Sequence, residues 1–544
     1  MRFHVLVVVV CLALSSQLSA QDQKNAKPPD QKAFVAARKI PDPQEKIDAL
    51  HKFVAQYPKS SRAGSANRLI LETLVKNFPK QTDEIQKQVG VELKNAKKDY
   101  YRYDDVASIL ADHDVLLPQA QAISEKSQKM LKESKFVADE KKGYERAKMK
   151  APDPAVIHKD YLETHASLET TLGAIYLKVG KAAEGERLLR DAYAADPTDS
   201  EAAALLGMID AKAGHDDTAL QLLVRARLTG KLTSEQQSSL DDLYSKLHGN
   251  SQTGLEDYLD AQYEKDFPIP FKFDTYKPSA KRSKRTVLAE LFTGSACGPC
   301  AGADLAIEAD LKRYSRSDLA VLMFHQHIPE PDPMTNPASV QRFAYYQATG
   351  TPTIAIDGVT KIVGASRDGA KSSFNTIDKL VDQDLDEPAE ASLTLAATRH
   401  GDTVHVVVHT GKIQSASKDL NLEIVLVENL QRYSGENGNR FHPMVVRSVA
   451  NSDENGFSLD PAKPGTVEYS FDVSRISSNL KTYLDNYEQH NDRFGQITFI
   501  EKKYEIDPAD LSVIAFVQDI KTKHVLQAAY EKVGGSSSDA VAHR

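Results

Sequence analysis

Tryptophan is absent from the 544 residues, and cysteine occurs only three times, at Cys11, Cys297 and Cys300. So little cysteine excludes a fold stapled together by disulfides, because bridges that stabilise a chain close long loops. A concentrated surplus of one charge is missing too: the formal net charge is -8, mild for this length. With no basic patch interleaved with aromatics, nucleic-acid binding is excluded as an expectation, since phosphate contacts need concentrated Lys and Arg. The sequence also lacks bilayer-length apolar runs. The longest, Val5 to Leu14, is too short to cross a hydrocarbon layer of about 30 Å. What remains is ordinary globular usage, 41% hydrophobic and 26% charged. At roughly 150 residues per domain, this length predicts a multidomain protein of about three or four units.

Residues 1–20 read as a secretory signal peptide. Arg2 provides the positive start, Val5 to Leu14 the apolar core and Ser19-Ala20 small residues for cleavage, with Leu18 departing from the preferred pattern. Removing this segment removes Cys11 and leaves Cys297 and Cys300, separated by two residues. A bridge between them closes almost no loop. Stability therefore explains the pair poorly, whereas disulfide exchange needs a second thiol close enough to attack a mixed disulfide formed by the first.

Residues 21–267 are rich in Ala, Leu, Glu, Lys and Gln, with apolar residues at helical spacing, and predict an α-helical region. Leu172-Gly173 recurs as Leu206-Gly207, Gly180 as Gly214, Leu188-Leu189 as Leu222-Leu223 and Ala192 as Ala226, each 34 positions on. This period, with Tyr176 and Pro197, resembles the tetratricopeptide repeat, clearest over 165–232. The resemblance implies a helical stack that docks a partner, although repeat architecture names no ligand. Residues 268–285 follow as a linker with Pro268, Pro270 and Pro278, ending in Lys281, Arg282, Lys284 and Arg285. A short charge run of this kind is expected to be solvated.

Beyond it, Thr286 to Thr293 predicts a strand, Gly294 to Ala296 a loop, and Ala303 to Tyr314 a helix after Cys297-Gly298-Pro299-Cys300. This order sets Cys297 at a helix N-terminus, where unpaired amides and the helix dipole favour thiolate. Cys300 lies one turn deeper as the resolving thiol, and Pro299 suits a helix start. A zinc site would need two further ligands. His325 and His327 are the only candidates, so a copper carrier using Cys297, Cys300, His325 and His327 is the competing reading of this motif.

The CGPC tetrapeptide, Cys297 to Cys300, and Thr351-Pro352-Thr353 resemble the active site and proline segment of the thioredoxin family. The likeness covers residues 286–387 and implies a β-α-β-α-β-β-α fold: strands Leu319 to His325, Ile354 to Ile356 and Lys361 to Val363, helices Pro337 to Gln347 and Lys371 to Leu385, and a turn at Asp357-Gly358. It further implies that Pro352 is cis and faces the cysteines, that Thr351, Pro352, Gly298 and Pro299 contact an extended substrate, and that Glu290 relays a proton. Glu290 precedes Cys297 by seven positions, one more than the family pattern. Ala296 stands where the family usually has tryptophan, which alters partner recognition. The HQHIPEPDPMTNP segment, from His325 to Pro337, reads as an insertion shaping access.

Residues 388–533 alternate in short strands, Val404 to Val408, Leu422 to Val427, Val467 to Phe471 and Leu511 to Val517, and predict an all-β sandwich. His442 to Ala450 and Ala515 to Ala529 resemble the C-terminal β domain of outer-membrane-associated thioredoxin-fold proteins, whereas His405, His409 and His442 read as surface or packing residues. Residues 534–544 read as a disordered tail. The expected protein is thus an exported thiol-disulfide oxidoreductase of the periplasm or cell envelope. It needs no cofactor beyond the redox-active pair Cys297-Cys300, and its partners are exported protein thiols or disulfides, a redox partner protein and a docking partner on the repeats. A non-catalytic binding scaffold is the alternative from another class.

Overall fold

The computed structural model describes residues 28–146, 148, 151–415, 417–452, 456–491 and 493–535. Residues 1–20, read above as a signal peptide, and residues 536–544 of the expected tail lie outside them. The chain forms two compact units that divide after Asp196, within the region expected to be uniformly helical.

The first unit holds helices α1 (Pro29–Arg38), α2 (Pro43–Gln56), α3 (Ala63–Asn77), α4 (Thr82–Ala96), α5 (Tyr100–Asp112), α6 (Leu117–Met130), α7 (Glu133–Arg146), α8 (Pro154–Lys178) and α9 (Ala182–Ala195). Their starts are written in the sequence: Asp42, Asp99 and Asp153 each accept a backbone amide of the following turn, satisfying donors a helix cannot satisfy itself. Ile47, Leu50 and Phe53 recur on one face of α2 and are buried with Ile70, Leu71, Leu74 and Ile85. This stripe is therefore core.

The second unit opens with α10 (Ser200–Lys212), α11 (Asp216–Thr229), α12 (Ser234–Leu247) and α13 (Leu255–Asp266). The 34-residue repeat survives as matched packing inside each unit. In the α8–α9 pair a Cβ on Gly173 would lie 2.9 Å from Leu189 Cγ, and in α10–α11 one on Gly207 would lie 2.8 Å from Leu223 Cγ. Only glycine permits helices this close.

Thereafter come β1 (Val287–Thr293), α14 (Cys300–Arg313), β2 (Leu319–His325), α15 (Pro337–Tyr345), β3 (Thr353–Ile356), β4 (Val359–Ile362) and α16 (Ala370–Leu385). The C-terminal elements are β5 (Ala391–His400), β6 (Thr403–Ile413), β7 (Leu420–Arg432), β8 (Phe441–Val449), β9 (Phe457–Ser458), β10 (Gly465–Asp472), α17 (Val473–His490), β11 (Leu511–Asp519), β12 (Val525–Lys532) and β13 (Gly534–Gly535).

Two sheets result. A nine-stranded mixed sheet runs β12-β11-β7-β8-β2-β1-β3-β4, with β9 added beside β7, and a four-stranded sheet runs β10-β6-β5-β13. β1 pairs parallel with β2 and antiparallel with β3, and β3 antiparallel with β4. The C-terminal strands are not a separate sandwich, because β8 joins β2 in parallel at Met323 and Val445. Leu422, Ile424 and Leu426 of β7 pack with Val404, Val406 and Val408 of β6, so the smaller sheet covers one end of the larger. Nor is this half all-β. Val473, Ile476, Leu480 and Leu484 form the buried stripe of α17, started by an Asp472 cap; helical spacing there was legible.

Two further expectations change. Residues 268–285 are no solvated linker: Ile269, Phe271, Phe273 and Tyr276 pack against the main core. Within the basic run Lys281 and Lys284 are exposed, but Arg282 pairs with Asp318 at 2.6 Å and buried Arg285 with Asp357 at 2.8 Å. A charge taken from water requires such a partner. At the other end, Gly534 and Gly535 of the expected tail pair with Thr398 and Arg399 of β5. No described helix is long and apolar enough to cross a membrane.

Candidate functional site

Cys297 and Cys300 form a disulfide between β1 and α14, with Cα atoms 5.2 Å apart. The intervening Gly298 and Pro299 are exposed, but Cys297 is only 3% and Cys300 0% exposed. Both sulfurs are therefore covered in this oxidised form. Helix α14 starts at Cys300, and its first three amides donate to Cys297 O (2.9 Å), Gly298 O (3.2 Å) and Ala365 O (2.9 Å). They are not unpaired, as the sequence implied. What α14 offers the Cys297 sulfur is the field of its positive end.

Thr351-Pro352 comes beside the pair. The Thr351 hydroxyl donates to Cys297 Sγ at 3.4 Å, and the Thr351–Pro352 peptide is cis. A Cβ on Gly364 would lie 3.3 Å from both Pro299 Cβ and Pro352 Cδ, so both prolines pack against that residue. The segment after β4 closes over the helix start, Ala365 N donating to Pro299 O at 2.9 Å.

Glu290 sits elsewhere. It lies on the β1 face shared with Phe292, which packs on Phe343 and Tyr346 near α15. Its oxygens accept from Arg342 Nε at 2.7 Å, Arg342 Nη2 at 3.1 Å and the Tyr346 hydroxyl at 2.5 Å. The opposite face, carrying Thr293, receives α14 and the cysteines. Side chains alternate along a strand, so Glu290 is directed away from the helix it was expected to serve.

The acid on the cysteine face is Asp304, which sequence reasoning missed. It lies four residues after Cys300, one helical turn along the same side, and is 2% exposed. Burial pushes its carboxyl up to about 6, against hydrogen bonds from Thr293, Asn439 and Asn437 that stabilise the ionised form. Thr293 Oγ1 donates at 2.6 Å, and the amides of Asn437 and Asn439 at 3.4 Å each. An acid in the run AGADLAIEAD was a readable signal.

Asn437 and Asn439 belong to the β7–β8 loop, Tyr433–Arg440, the second feature not foreseen. Asn437 N donates to Ser295 O at 2.9 Å and Asn439 Nδ2 to Ala301 O at 3.2 Å, bracketing the CGPC turn. Buried Arg440 anchors the loop to α13 through Glu256 (2.6 Å) and Asp260 (2.8 Å). Tyr263 adds a hydrogen bond to Gly438 O at 3.1 Å.

The His325–Pro337 segment supports the site from behind. His325 Nδ1 donates to Asp332 Oδ2 at 3.0 Å, and the same carboxylate accepts from Ser295 N at 2.7 Å. These contacts hold Asp332 well below the usual carboxylate range despite burial, with His325 the strongest favourable influence. His327 turns away: its Nδ1 accepts from Asp332 N at 3.0 Å, and its ring stacks on Tyr487 at 3.6 Å. Burial lowers it to about 4 and fully buried His442 to about 3, whereas half-buried His405 and exposed His409 are strand residues bonded to Ser470 and Thr466. Among the described residues no three His, Cys, Asp or Glu converge to hold a metal ion, and Cys297, Cys300, His325 and His327 do not form the suggested ligand set.

No family model and no curated protein matches this chain. The CxxC disulfide, the helical repeat and the mixed sheet are compatible with a thioredoxin-like redox protein.

Proposed function

We propose that this protein is a thiol-disulfide oxidoreductase with a thioredoxin-like core, exported to the cell envelope, whose helical repeats of tetratricopeptide type dock a partner. The observation that carries this reading is the Cys297–Cys300 disulfide at the β1–α14 junction beside Thr351-Pro352. The strand order β2-β1-β3-β4, with α14, α15 and α16 between and after, supports the fold. The bridge closes too small a loop to contribute much stability, and the two cysteines stand where a helix field favours a thiolate.

In the reducing direction the Cys297 thiolate attacks a substrate disulfide, forming a mixed disulfide and releasing one substrate thiolate. Cys300, losing its proton, then attacks Cys297 Sγ and releases the second. The substrate gains two electrons and leaves as two thiolates that take their protons from solvent, the cysteine pair is oxidised, and a dithiol partner restores it. Asp304 is the proton acceptor for Cys300 in this reading, because it is buried one turn away with its carboxyl near 6. Opening the Thr351 and Tyr433–Arg440 surroundings would expose Cys297 to the client.

Purified protein should reduce insulin with dithiothreitol as electron source. Cys300→Ser should retain a client in mixed disulfide through Cys297, and Cys297→Ser should lose both activities. Wild-type protein that reduces no disulfide, with no adduct on Cys300→Ser, sinks the proposal.

A further inference from the structure

On the sheet face opposite the cysteines, a cleft of about 190 Å³ lies between α15 and the C-terminal strands. Ala338, Val449 and Ile520 supply apolar walls and Tyr345 a phenol. Its buried acid is Glu423 of β7, 7% exposed. Among the described residues the Glu423 carboxylate has no hydrogen-bond partner, although the residue lines the cleft, with Oε1 on the Gly456 side, 3.0 Å from where a Cβ on that glycine would stand. A carboxylate so placed is costly unless something pairs with it.

The neighbouring cations do not fill that role. Arg342 also lines the cleft, but its guanidinium is engaged by both oxygens of Glu290 and by Gln518 Oε1 at 2.8 Å. Lys523 lies over the Tyr345 and Tyr346 rings, 5.5 Å from each centroid. Asp519 accepts from Lys521 N and Thr522 N. Glu290, Glu423 and Asp519 against Arg342 and Lys523 leave one negative charge in excess, and it falls on the acid without a hydrogen bond. Burial pushes Glu423 up to about 7, Arg342 opposing and Glu290 adding to the rise.

We propose that this cleft binds a small primary amine with a short apolar body, the ammonium pairing with Glu423 and the body lying between Ala338, Val449 and Ile520. The volume sets the size: a cavity of about 150 Å³ holds a benzene ring. A cation is selected because it supplies the missing partner, whereas an anion would meet two carboxylates and an arginine already paired. This site is independent of the redox reading.

The test uses the full-length oxidised protein and three probes of nearly equal shape: benzylamine, benzyl alcohol and benzoate. Calorimetric titration at about pH 8 should give saturable, one-to-one binding of benzylamine at least about tenfold tighter than of the alcohol, with benzoate weakest. Because the carboxylate form is required, benzylamine binding should weaken several-fold at about pH 6. Glu423→Gln should bring benzylamine down to the level of the alcohol while leaving insulin reduction unchanged. Ala338→Phe, which fills the cleft without touching the acid, should abolish binding of all three, and keeps the proposal testable if Glu423→Gln fails to fold. Absence of saturable benzylamine binding, equal binding of amine and alcohol, or tightest binding of benzoate overturns it.

Discussion

Two buried carboxylates on opposite faces of the nine-stranded sheet, Glu290 and Asp304, are held in opposite ways. On the α15 face Glu290 meets Arg342 through two nitrogens and Tyr346 through a hydroxyl. On the α14 face Asp304 meets only neutral donors, Thr293, Asn437 and Asn439. Burial pushes the Asp304 carboxyl up to about 6 even against these neutral donors and the nearby charge of His325. The difference separates a structural ion pair from a group able to exchange protons near neutrality. It also explains why an acid in an apolar strand is a poor guide to chemistry until its partner is known.

Breaking the fixed pair should have the largest effect. Arg342→Met leaves Glu290 as an uncompensated buried charge and should cost about 3–5 kcal/mol in urea unfolding. Adding Glu290→Gln should recover much of that loss. Insulin reduction per folded molecule should stay at the wild-type rate in both; a fall in the double variant would return Glu290 to the chemistry.

Changing the exchangeable acid comes next. The carboxyl of Asp304 is raised in the folded state, so the unfolded chain releases this proton first, near the ordinary aspartate value of 3.8. Stability linked to Asp304 is therefore full below about pH 4 and is lost as pH rises to about 6, a difference worth about 3 kcal/mol. Asp304→Asn should remove that decline, which unfolding curves across this range would measure. It should also flatten the pH dependence of insulin reduction near 6. A variant whose rate profile matches wild type removes Asp304 from the proton path.

The smallest effect should come from the loop that tunes it. Asn439→Ala removes one donor to Asp304 and one to Ala301 O, at a cost of about 1 kcal/mol. The Asp304 carboxyl should titrate higher still, by less than about one pH unit. Carboxyl carbon NMR titration of the variant, with a midpoint unchanged or lower, would contradict the contrast between neutral and charged partners.

Local structure was largely legible in the sequence. β2 begins and ends where it was expected within the continuous apolar run, at Leu319 and His325, and α16 differs by one residue at its start. The CGPC turn and Thr351-Pro352 were found because each is a short, contiguous pattern. What escaped depends on distant residues. Glu290 and Arg342 lie 52 positions apart, and no local pattern reveals that the two meet. Asn437 reaches the cysteine turn only because β7 and β8 extend the same sheet as β1. Covering of Cys297 likewise follows from packing that a helix-start motif does not encode. Asp304 and α17 differ from these, since their spacing was available: an acid one turn beyond Cys300, and Val473, Ile476, Leu480 and Leu484 on one face.

The junction of β8 with β2 bears on how the polypeptide can be cut. A fragment ending near Glu387 would strip β2 of its outer neighbour and present raw main-chain donors and acceptors to any passing strand. It would also remove Asn437 and Asn439, leaving Asp304 with Thr293 alone. The stretch that carries the cysteines is thus not a detachable cassette, and its expression by itself should give aggregates where the intact second unit stays in solution.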